Sequence, residues 1–232
     1  MQRNPINAVV FDAVGTLIYP EPGVAEVYTV AGRRFGSKLT GPEVVRRFRD
    51  VFAEVESRDR AGDLTTSEAV ETSRWQQIVW RVLDDVSDHA GCFVELWRHF
   101  ARASSWRVFP EVPRVLESLA SRRVRLAIAS NFDQRLYDIA RQIGPLQACH
   151  PVLVSSQVGY RKPHPQFFEA IRTALGVASN TVLYVGDDPD NDIAAARLAG
   201  FQTLLIRRLG CDGPGEAASL EKVLQLAGGV RL

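Results

Sequence analysis

The chain has 232 residues, 46% of them hydrophobic, and its formal net charge is +1. This length allows one large domain, or a core domain with an appendage. The near-neutral charge gives no field that would favour nucleic acid or a membrane surface, and no apolar stretch is long enough to span a bilayer. Cys92, Cys149 and Cys211 lack metal-ligand spacing, and we expect no signal peptide, because no apolar run precedes the first predicted strand. We therefore expect reduced thiols in a cytoplasmic protein.

The first predicted strand covers residues 6–11 and ends on the carboxylate of Asp12. Its continuous apolar run, Val9-Val10-Phe11, is typical of a buried parallel strand. Ligands of open α/β sheets bind at the carboxyl ends of such strands. The proline-rich segment 19–23 cannot continue a helix or a central strand, so it predicts the point where the chain leaves the sheet.

Residues 24–105 show only helical patterning. Apolar residues recur at three- and four-residue spacing in four segments, and Thr40 and Thr65 begin two capping sequences. Four amphipathic helices without a strand predict an all-α bundle of roughly 80 residues. We therefore expect a helical domain over residues 18–105, inserted into a core of residues 1–17 and 106–232. The four tryptophans in or beside this insertion are expected to pack in its interior. Arg74 is expected to face water.

From residue 106 onward, predicted strands alternate with predicted helices. The strands cover residues 124–129, 152–154, 181–185 and 202–206, and the helices cover 110–121, 133–143, 165–175, 191–199 and 216–226. Repeated βα units predict a parallel sheet with helices on both faces. The predicted fold class is therefore α/β, a Rossmann-like core with an inserted helical domain.

Four polar clusters fall at or just after the ends of strands: Asp12; Ser130-Asn131; Lys162; and Asp187-Asp188 with Asp192. Parallel strand ends meet at one edge of a sheet, so these clusters are expected to converge. Crowded carboxylates favour a hard divalent cation such as Mg²⁺, and a lysine with neutral donors suits a phosphate. Taken singly, Ser130-Asn131 is equally compatible with a helix N-cap, and Arg161-Lys162 with a solvated pair.

The four clusters together resemble the motifs of the haloacid dehalogenase (HAD) superfamily. Phe-Asp-Ala-Val-Gly-Thr-Leu, residues 11–17, resembles its first motif, and the other three clusters resemble the second, third and fourth motifs in the family's order. The helical insertion resembles the family's type-one cap. The resemblance covers residues 6–206 and implies a hydrolase with an aspartyl nucleophile.

The resemblance also implies a role for each residue. Asp12 would accept the phosphoryl group, and Lys162 would neutralise developing charge and restrain Asp12. Ser130 and the Asn131 amide would hold the phosphoryl group. Mg²⁺ would bind Asp12, the main-chain carbonyl of Val14, Asp187 and, directly or through water, Asp188. Thr16 and Asp192 would support the site.

The first motif departs from the phosphatase pattern at Val14, where those branches carry a second aspartate that acts as general acid and base. Such help is typically worth about 10²–10⁴-fold in rate. The sequence therefore predicts a Mg²⁺-dependent phosphohydrolase for a small phosphorylated metabolite. Its activity would be weak, or selective for leaving groups that need little protonation, such as aryl or acyl phosphates. An altered first motif of this kind also resembles a subgroup of uncharacterised HAD-like hydrolases.

Three alternatives remain at this stage. A 2-haloacid dehalogenase also lacks the second aspartate. In that branch, however, the fourth motif has Ser-Asn where this sequence has Asp187-Asp188, and the enzyme uses no metal. A phosphonate-cleaving enzyme needs a lysine in the helical domain, where Lys38 is the only one. A non-catalytic HAD-fold binding protein is the third alternative. Neither the substrate nor the oligomeric state follows from the sequence.

Overall fold

The computed structural model describes residues 4–208, 210, 213 and 215–228. Its strands are, in chain order, β1 (Ala8–Phe11), β2 (Ile18–Pro20), β3 (Trp106–Val108), β4 (Arg125–Ser130), β5 (Val152–Val154), β6 (Val182–Gly186), β7 (Gln202–Ile206) and β8 (Glu216–Ala217). Its helices are α1 (Val24–Arg34), α2 (Gly41–Ala61), α3 (Glu68–Val82), α4 (His89–Phe100), α5 (Val112–Ser121), α6 (Arg135–Gln142), α7 (Ser155–Val158), α8 (Pro165–Leu175), α9 (Ala195–Leu198) and α10 (Glu221–Ala227).

Six strands form one parallel sheet in the order β5-β4-β1-β6-β7-β8. The strand β1 lies at its centre, with Val9 paired to Leu126 of β4 on one side and to Leu183 of β6 on the other. The predicted α/β class is therefore confirmed. A central position buries every residue of β1, which explains why its sequence is continuously apolar.

The two faces of the sheet carry separate apolar layers. Side chains alternate along a strand, so Val9 and Phe11 pack into the layer covered by α5, α6 and α10. Ala8 and Val10 pack into the opposite layer, which α8 and α9 cover. The core is thus a three-layer sandwich. All six strands end at the same edge of the sheet, which we call its functional edge.

Two predicted helices of the core differ from the structure. The segment 216–226 begins as the edge strand β8, with Glu216 paired to Leu205, and only its second part is the helix α10. Pairing with β7 satisfies backbone groups that the edge of the sheet would otherwise expose. The predicted helix 191–199 starts earlier, as a π-helical turn over Pro189–Ala194, because Asp188 caps it. Cys92 and Cys149 are buried free thiols, and Cys211 lies outside the described residues.

The helices α1–α4 form the inserted domain and enclose an apolar cluster of their own. The helix start predicted at Thr40 is confirmed, and a capping box stabilises it, since the side chains of Thr40 and Glu43 exchange hydrogen bonds with the backbone. Ser67 caps α3 by accepting from the Val70 N–H group. In the part of the chain that the structure describes, no helix combines the length and apolarity needed to cross a membrane.

The inserted domain joins the core through the antiparallel pair β2–β3, in which Tyr19 lies opposite Arg107 and Pro20 opposite Trp106. A proline is tolerated there because a two-stranded ribbon leaves one side of each strand unpaired. Both crossings of the chain therefore run side by side, at residues 18–20 and 106–108. The division into residues 18–105 and the remainder stays a prediction.

Candidate active site

Asp12 follows β1 directly, and its side chain is buried at the functional edge of the sheet. Its N–H group donates to the Val185 carbonyl at 2.8 Å, which extends the pairing with β6 by one residue. The chain then turns through Val14 and Gly15. Gly15 has φ of +85°, and a Cβ there would collide with the Asp187 carboxylate. The turn thus needs glycine for its conformation and for the close approach of the acidic side chain.

Lys162 ties two acidic residues together. Its Nζ atom lies 2.7 Å from Asp12 Oδ1 and 2.6 Å from Asp192 Oδ1. The same ammonium donates to the Ala129 carbonyl at 3.3 Å and to the Tyr184 hydroxyl at 3.2 Å. Burial by itself would lower the pKa of Lys162, but the two carboxylates raise it well above its usual value. The lysine is therefore held in its charged form beside Asp12.

Ser130 and Asn131 end β4 on the other side of Asp12. The Ser130 hydroxyl donates to Asp12 Oδ1 at 2.9 Å. Ser130 is not a helix N-cap, because the next helix, α6, begins at Arg135 and has Gln134 at its N-cap position. The Asn131 side chain donates to the Lys162 carbonyl at 3.0 Å and accepts from the Lys162 N–H group at 2.7 Å. This reciprocal pair fixes the loop that carries the lysine. Both side-chain donors to Asp12 act on Oδ1, and within the described residues no hydrogen bond reaches Oδ2.

Asp12, Asp187 and Asp192 each place one carboxylate oxygen within 4.8 Å of the others. Asp187 is exposed to the cleft, but partial desolvation by the surrounding protein, and then the charges of Asp12 and Asp192, raise its pKa to about 7. Burial also raises the pKa of Asp192 to about 6, although the Lys162 charge opposes this shift. Three carboxylates and one ammonium carry a net charge of −2 when all are ionised. The repulsion that remains is the type that a divalent cation removes.

The donor set is compatible with Mg²⁺. Oxygens bound to Mg²⁺ lie about 2.0–2.1 Å from the ion, so two on opposite sides are about 4.2 Å apart. The observed upper limit of 4.8 Å is slightly above this distance, so two of these oxygens could bind one ion from opposite sides after a small contraction. Asp192 is already bound by Lys162 through Oδ1 and by the Asp188 N–H group through Oδ2. Asp12 and Asp187 are therefore the better-placed ligands, and Asp192 holds the lysine.

Asp188 is oriented away from this cluster. Its Oδ1 accepts from the N–H groups of Asp190 and Asn191, and its Oδ2 accepts from Asn191 Nδ2 at 2.7 Å. Arg60, on α2, lies 3.6 Å from Asp188 and 3.2 Å from Asp190. The carboxylate of Asp188 thus caps a helix and contacts the inserted domain, so any role toward a metal requires an intervening water.

Thr16 supports the turn from within. It is fully buried, and its hydroxyl has no hydrogen-bond partner in the described part of the chain. Its carbonyl accepts from Arg208 Nη2 at 2.6 Å, and the carbonyl of Gly15 accepts from Arg208 Nε at 3.3 Å. Glu111 orients Arg208 at 2.6 Å. Arg208 could not be recognised from the sequence, because it follows Arg207 in a segment that belongs to none of the four polar clusters.

Arg161 precedes Lys162 and belongs to a buried ion network between core and inserted domain. It lies 2.5 Å from Glu71 and 3.0 Å from Glu56, and Arg74 also pairs with Glu56. Both interpretations from the sequence, a solvated Arg161 and a water-facing Arg74, are therefore wrong, since both side chains are buried. Glu71 and Glu56 lie 90 and 105 positions from Arg161 in the chain, so no local pattern indicates this network.

The polar side chains open onto a cleft of about 700 Å³ between the core and the inserted domain. The core contributes Asp12, Ser130, Lys162 and Asp187, and the inserted domain contributes Phe52 and Trp75 to the opposite wall. The site thus combines a buried carboxylate, a charged lysine and an acidic cluster beneath a helical domain, at the strand ends of a Rossmann-like core.

The chain belongs to the haloacid dehalogenase-like hydrolase family, whose model matches residues 6–200. The Xenopus laevis haloacid dehalogenase-like hydrolase domain-containing protein 3 is 32% identical over 112 residues, which are 48% of this chain and 46% of that protein, so this match spans about half of each. The glyceraldehyde 3-phosphate phosphatase of Methanopyrus kandleri is 26% identical over 88% of this chain and 84% of its own.

Two solved structures share the fold over nearly the whole chain. The HAD-hydrolase YfnB of Bacillus subtilis, bound to magnesium, has a TM-score of 0.80 with 17% identity, and covers 97% of this chain and 100% of its own. An L-2-haloacid dehalogenase has a TM-score of 0.74 with 26% identity and the same coverage. The first of these shows the likeness of the fold alone, because its sequence identity is low.

Proposed function

We propose that the protein is a phosphohydrolase that acts on a small phosphorylated metabolite through a phosphorylated Asp12. One observation carries this proposal: Lys162 and Ser130 hold the buried Asp12 carboxylate through Oδ1, beside two further carboxylates, and leave its Oδ2 without a hydrogen bond from any described residue. The similarity to a glyceraldehyde 3-phosphate phosphatase over most of the chain favours phosphate esters as substrates.

The reaction has two steps at one residue. An Asp12 oxygen attacks phosphorus, the bond between phosphorus and the ester oxygen breaks, and the leaving group departs with the electron pair as an oxyanion. Water then attacks the phosphorus of the acyl phosphate, which releases inorganic phosphate and a proton and restores the carboxylate. Lys162 balances charge throughout, because its ammonium stays within hydrogen-bonding distance of Asp12.

Mg²⁺ would be held by Asp12 and Asp187, with Asp192 fixing the neighbouring lysine. When bound, the ion would neutralise the phosphoryl oxygens and thereby reduce their repulsion from the attacking carboxylate. The chain itself positions Asp187 for this role, since Gly15 lets the Asp187 carboxylate approach the turn after Asp12. Asp188 would act through water, because hydrogen bonds to its own helix occupy its oxygens.

Val14 limits this chemistry, since a valine side chain neither protonates the leaving group nor deprotonates water. The missing help is worth about 10²–10⁴-fold. We therefore expect turnover to be fast only for esters whose leaving oxyanion is stable without a proton, namely aryl and acyl phosphates. The Asp-x-Val motif would mark a subgroup with this selectivity.

The test is a panel of aryl, acyl and alkyl phosphates, assayed for released phosphate with Mg²⁺ and with EDTA. We expect Mg²⁺-dependent turnover of acetyl phosphate and 4-nitrophenyl phosphate, and its loss in Asp12→Asn. Asp190→Asn is the matched control, because Asp190 is exposed and lies outside the acidic cluster. Full activity in EDTA would contradict the role of Mg²⁺, and activity in Asp12→Asn would contradict the nucleophile.

Two other outcomes would replace the proposal. Release of chloride from 2-chloropropionate without Mg²⁺ would establish a dehalogenase, a class to which one of the similar structures belongs. Binding of beryllofluoride with Mg²⁺, together with no turnover of any ester, would establish a binding protein. The acidic cluster of Asp12, Asp187 and Asp192 argues against the first outcome, because halide displacement by a carboxylate requires no cation.

A further inference from the structure

A second cavity, of about 290 Å³, lies between the inserted domain and the core. Its walls are almost entirely apolar and rich in aromatic side chains, which include Phe52, Trp75, Trp97 and Trp106. Three of the four tryptophans interpreted from the sequence as packing residues thus border an open space. The fourth, Trp80, is exposed and donates to the His89 carbonyl.

This apolar cavity adjoins the polar cleft. Val14, Phe52, Trp75 and Asn131 line both spaces. Val14 follows the proposed nucleophile by two positions, and Asn131 follows the serine that donates to it. A molecule with its phosphorus at Asp12 would therefore extend past Val14 directly into the aromatic cavity.

The charged group at the edge of the cavity is already neutralised. Arg135 lies 2.7 Å from Asp133 through two separate hydrogen bonds, and its guanidinium stacks 3.4 Å from the centre of the Trp97 ring. Tyr28 also lines the cavity and is almost completely buried. The cavity thus offers a ligand aromatic surface, and the charge at its edge is already paired.

We propose that this cavity holds the leaving group of the substrate, and that this group is an uncharged aromatic one of one or two rings. The inference rests on the proposed phosphoryl transfer and names its substrate class. The size follows from the volume: a cavity of about 150 Å³ accommodates benzene, so 290 Å³ accommodates a group of up to two rings. Ring-to-ring contacts with the walls stabilise such a group beyond the burial of its apolar area.

The class of leaving group agrees with the chemistry at Val14. When the bond between phosphorus and oxygen breaks, the electron pair stays on the ester oxygen. An aromatic ring bonded to that oxygen delocalises the charge, so the phenolate leaves without the proton that an aspartate at residue 14 would supply. Val14 therefore lines the path to the aromatic cavity, and the same residue excludes alkyl esters from efficient turnover.

The first experiment measures binding and needs no turnover. Methylphosphonate, benzylphosphonate and 2-naphthylmethylphosphonate are titrated into the wild-type protein with Mg²⁺ by calorimetry. We expect affinity to rise by at least about tenfold from the methyl to the naphthyl compound, since burying even one methylene in an apolar pocket is worth about 10-fold or more. Equal affinities for the three compounds would overturn the inference.

The second experiment narrows the cavity. Val79 lies in its wall on α3, and Val79→Phe is expected to reduce 2-naphthylmethylphosphonate affinity by about tenfold while methylphosphonate affinity changes little. Val45→Phe on the exposed face of α2 is the matched control and should alter neither affinity. If Val79→Phe only raises the melting temperature and leaves naphthyl affinity intact, the cavity is a packing gap and the inference is wrong.

The two proposals fail separately. Turnover of acetyl phosphate combined with equal phosphonate affinities would retain the phosphohydrolase and overturn its aromatic substrate class. Tight, Val79-dependent naphthyl binding without turnover of 2-naphthyl phosphate would retain the aromatic site and overturn the phosphohydrolase.

Discussion

Replacing Val14 by aspartate should restore activity toward alkyl phosphates. The Val14 side chain is half-buried and lines both the polar cleft and the aromatic cavity. A carboxyl group there would border the ester oxygen of a substrate bound at Asp12. Because residue 14 borders both spaces, the new carboxyl group would stay in contact with solvent. The substitution should therefore be tolerated without a large desolvation cost.

The expected gain follows from general acid catalysis. Proton transfer in the transition state contributes about 10²–10⁴-fold, which corresponds to roughly 3–5 kcal/mol of barrier. The gain should be largest for propyl phosphate, whose leaving alkoxide is unstable without a proton. It should be small for 4-nitrophenyl phosphate, whose phenolate leaves unaided. The dependence of kcat/KM on the leaving group should therefore become flatter in Val14→Asp.

The assay compares kcat/KM for propyl, phenyl and 4-nitrophenyl phosphate in wild type, Val14→Asp and Val14→Asn. Asparagine has nearly the shape of aspartate but supplies no acidic proton, so Val14→Asn should retain the steep dependence of the wild type. The reasoning would be refuted if Val14→Asp left propyl phosphate turnover unchanged, or if Val14→Asn raised it equally.

Three further predictions concern stability. Lys162→Met should lower the free energy of unfolding by about 3–5 kcal/mol, because it leaves two buried carboxylates unpaired; urea denaturation measures this loss, and Lys222→Met on an exposed site should cost little. Excess MgCl₂ should raise the melting temperature of wild type but not of Asp187→Asn, since only a ligand bound to the folded state stabilises it; an equal shift in both would exclude Asp187 as a ligand. Burial favours a raised pKa for Glu111, but the Arg208 hydrogen bond and backbone donors lower that pKa below its usual value of 4.5. The ionised Glu111 therefore contributes to the free energy of unfolding above pH 4.5, and this contribution is lost on acidification below that value. Glu111→Gln should flatten the stability profile in that range, and an unchanged profile would contradict the assignment.

Much of the fold could be predicted because it depends on short-range patterns. The apolar run of β1 follows from its central position, and the capping box at Thr40 follows from hydrogen bonds within one turn. The bounds of α8 and β7 coincide with the predicted ones, since Pro165 begins the helix and Gly200 ends the preceding turn. The strand β8 could not be predicted, because it exists only through its pairing with β7.

The convergence of the four polar clusters was predictable for a related reason. Asp12, Ser130 and Asp187 lie at or directly after strand ends, and Lys162 lies in the loop that follows β5 and α7. Parallel strands end at one edge, so Asp12 and Lys162 meet although 150 positions separate them. The direction of each side chain within that edge was not predictable. Asp188 and Asp192 are four residues apart and both acidic, yet one caps a helix and the other binds the lysine.

By itself, therefore, the sequence determined the α/β class, the helical insertion and the set of residues that meet at the strand ends. Local periodicity and strand direction are sufficient for these features. Only the tertiary structure decided how the insertion docks on the core, through Arg161 and Glu71, and that Val14 opens onto an aromatic cavity. A cavity is the space left between side chains from distant parts of the chain, so no segment of the sequence contains it.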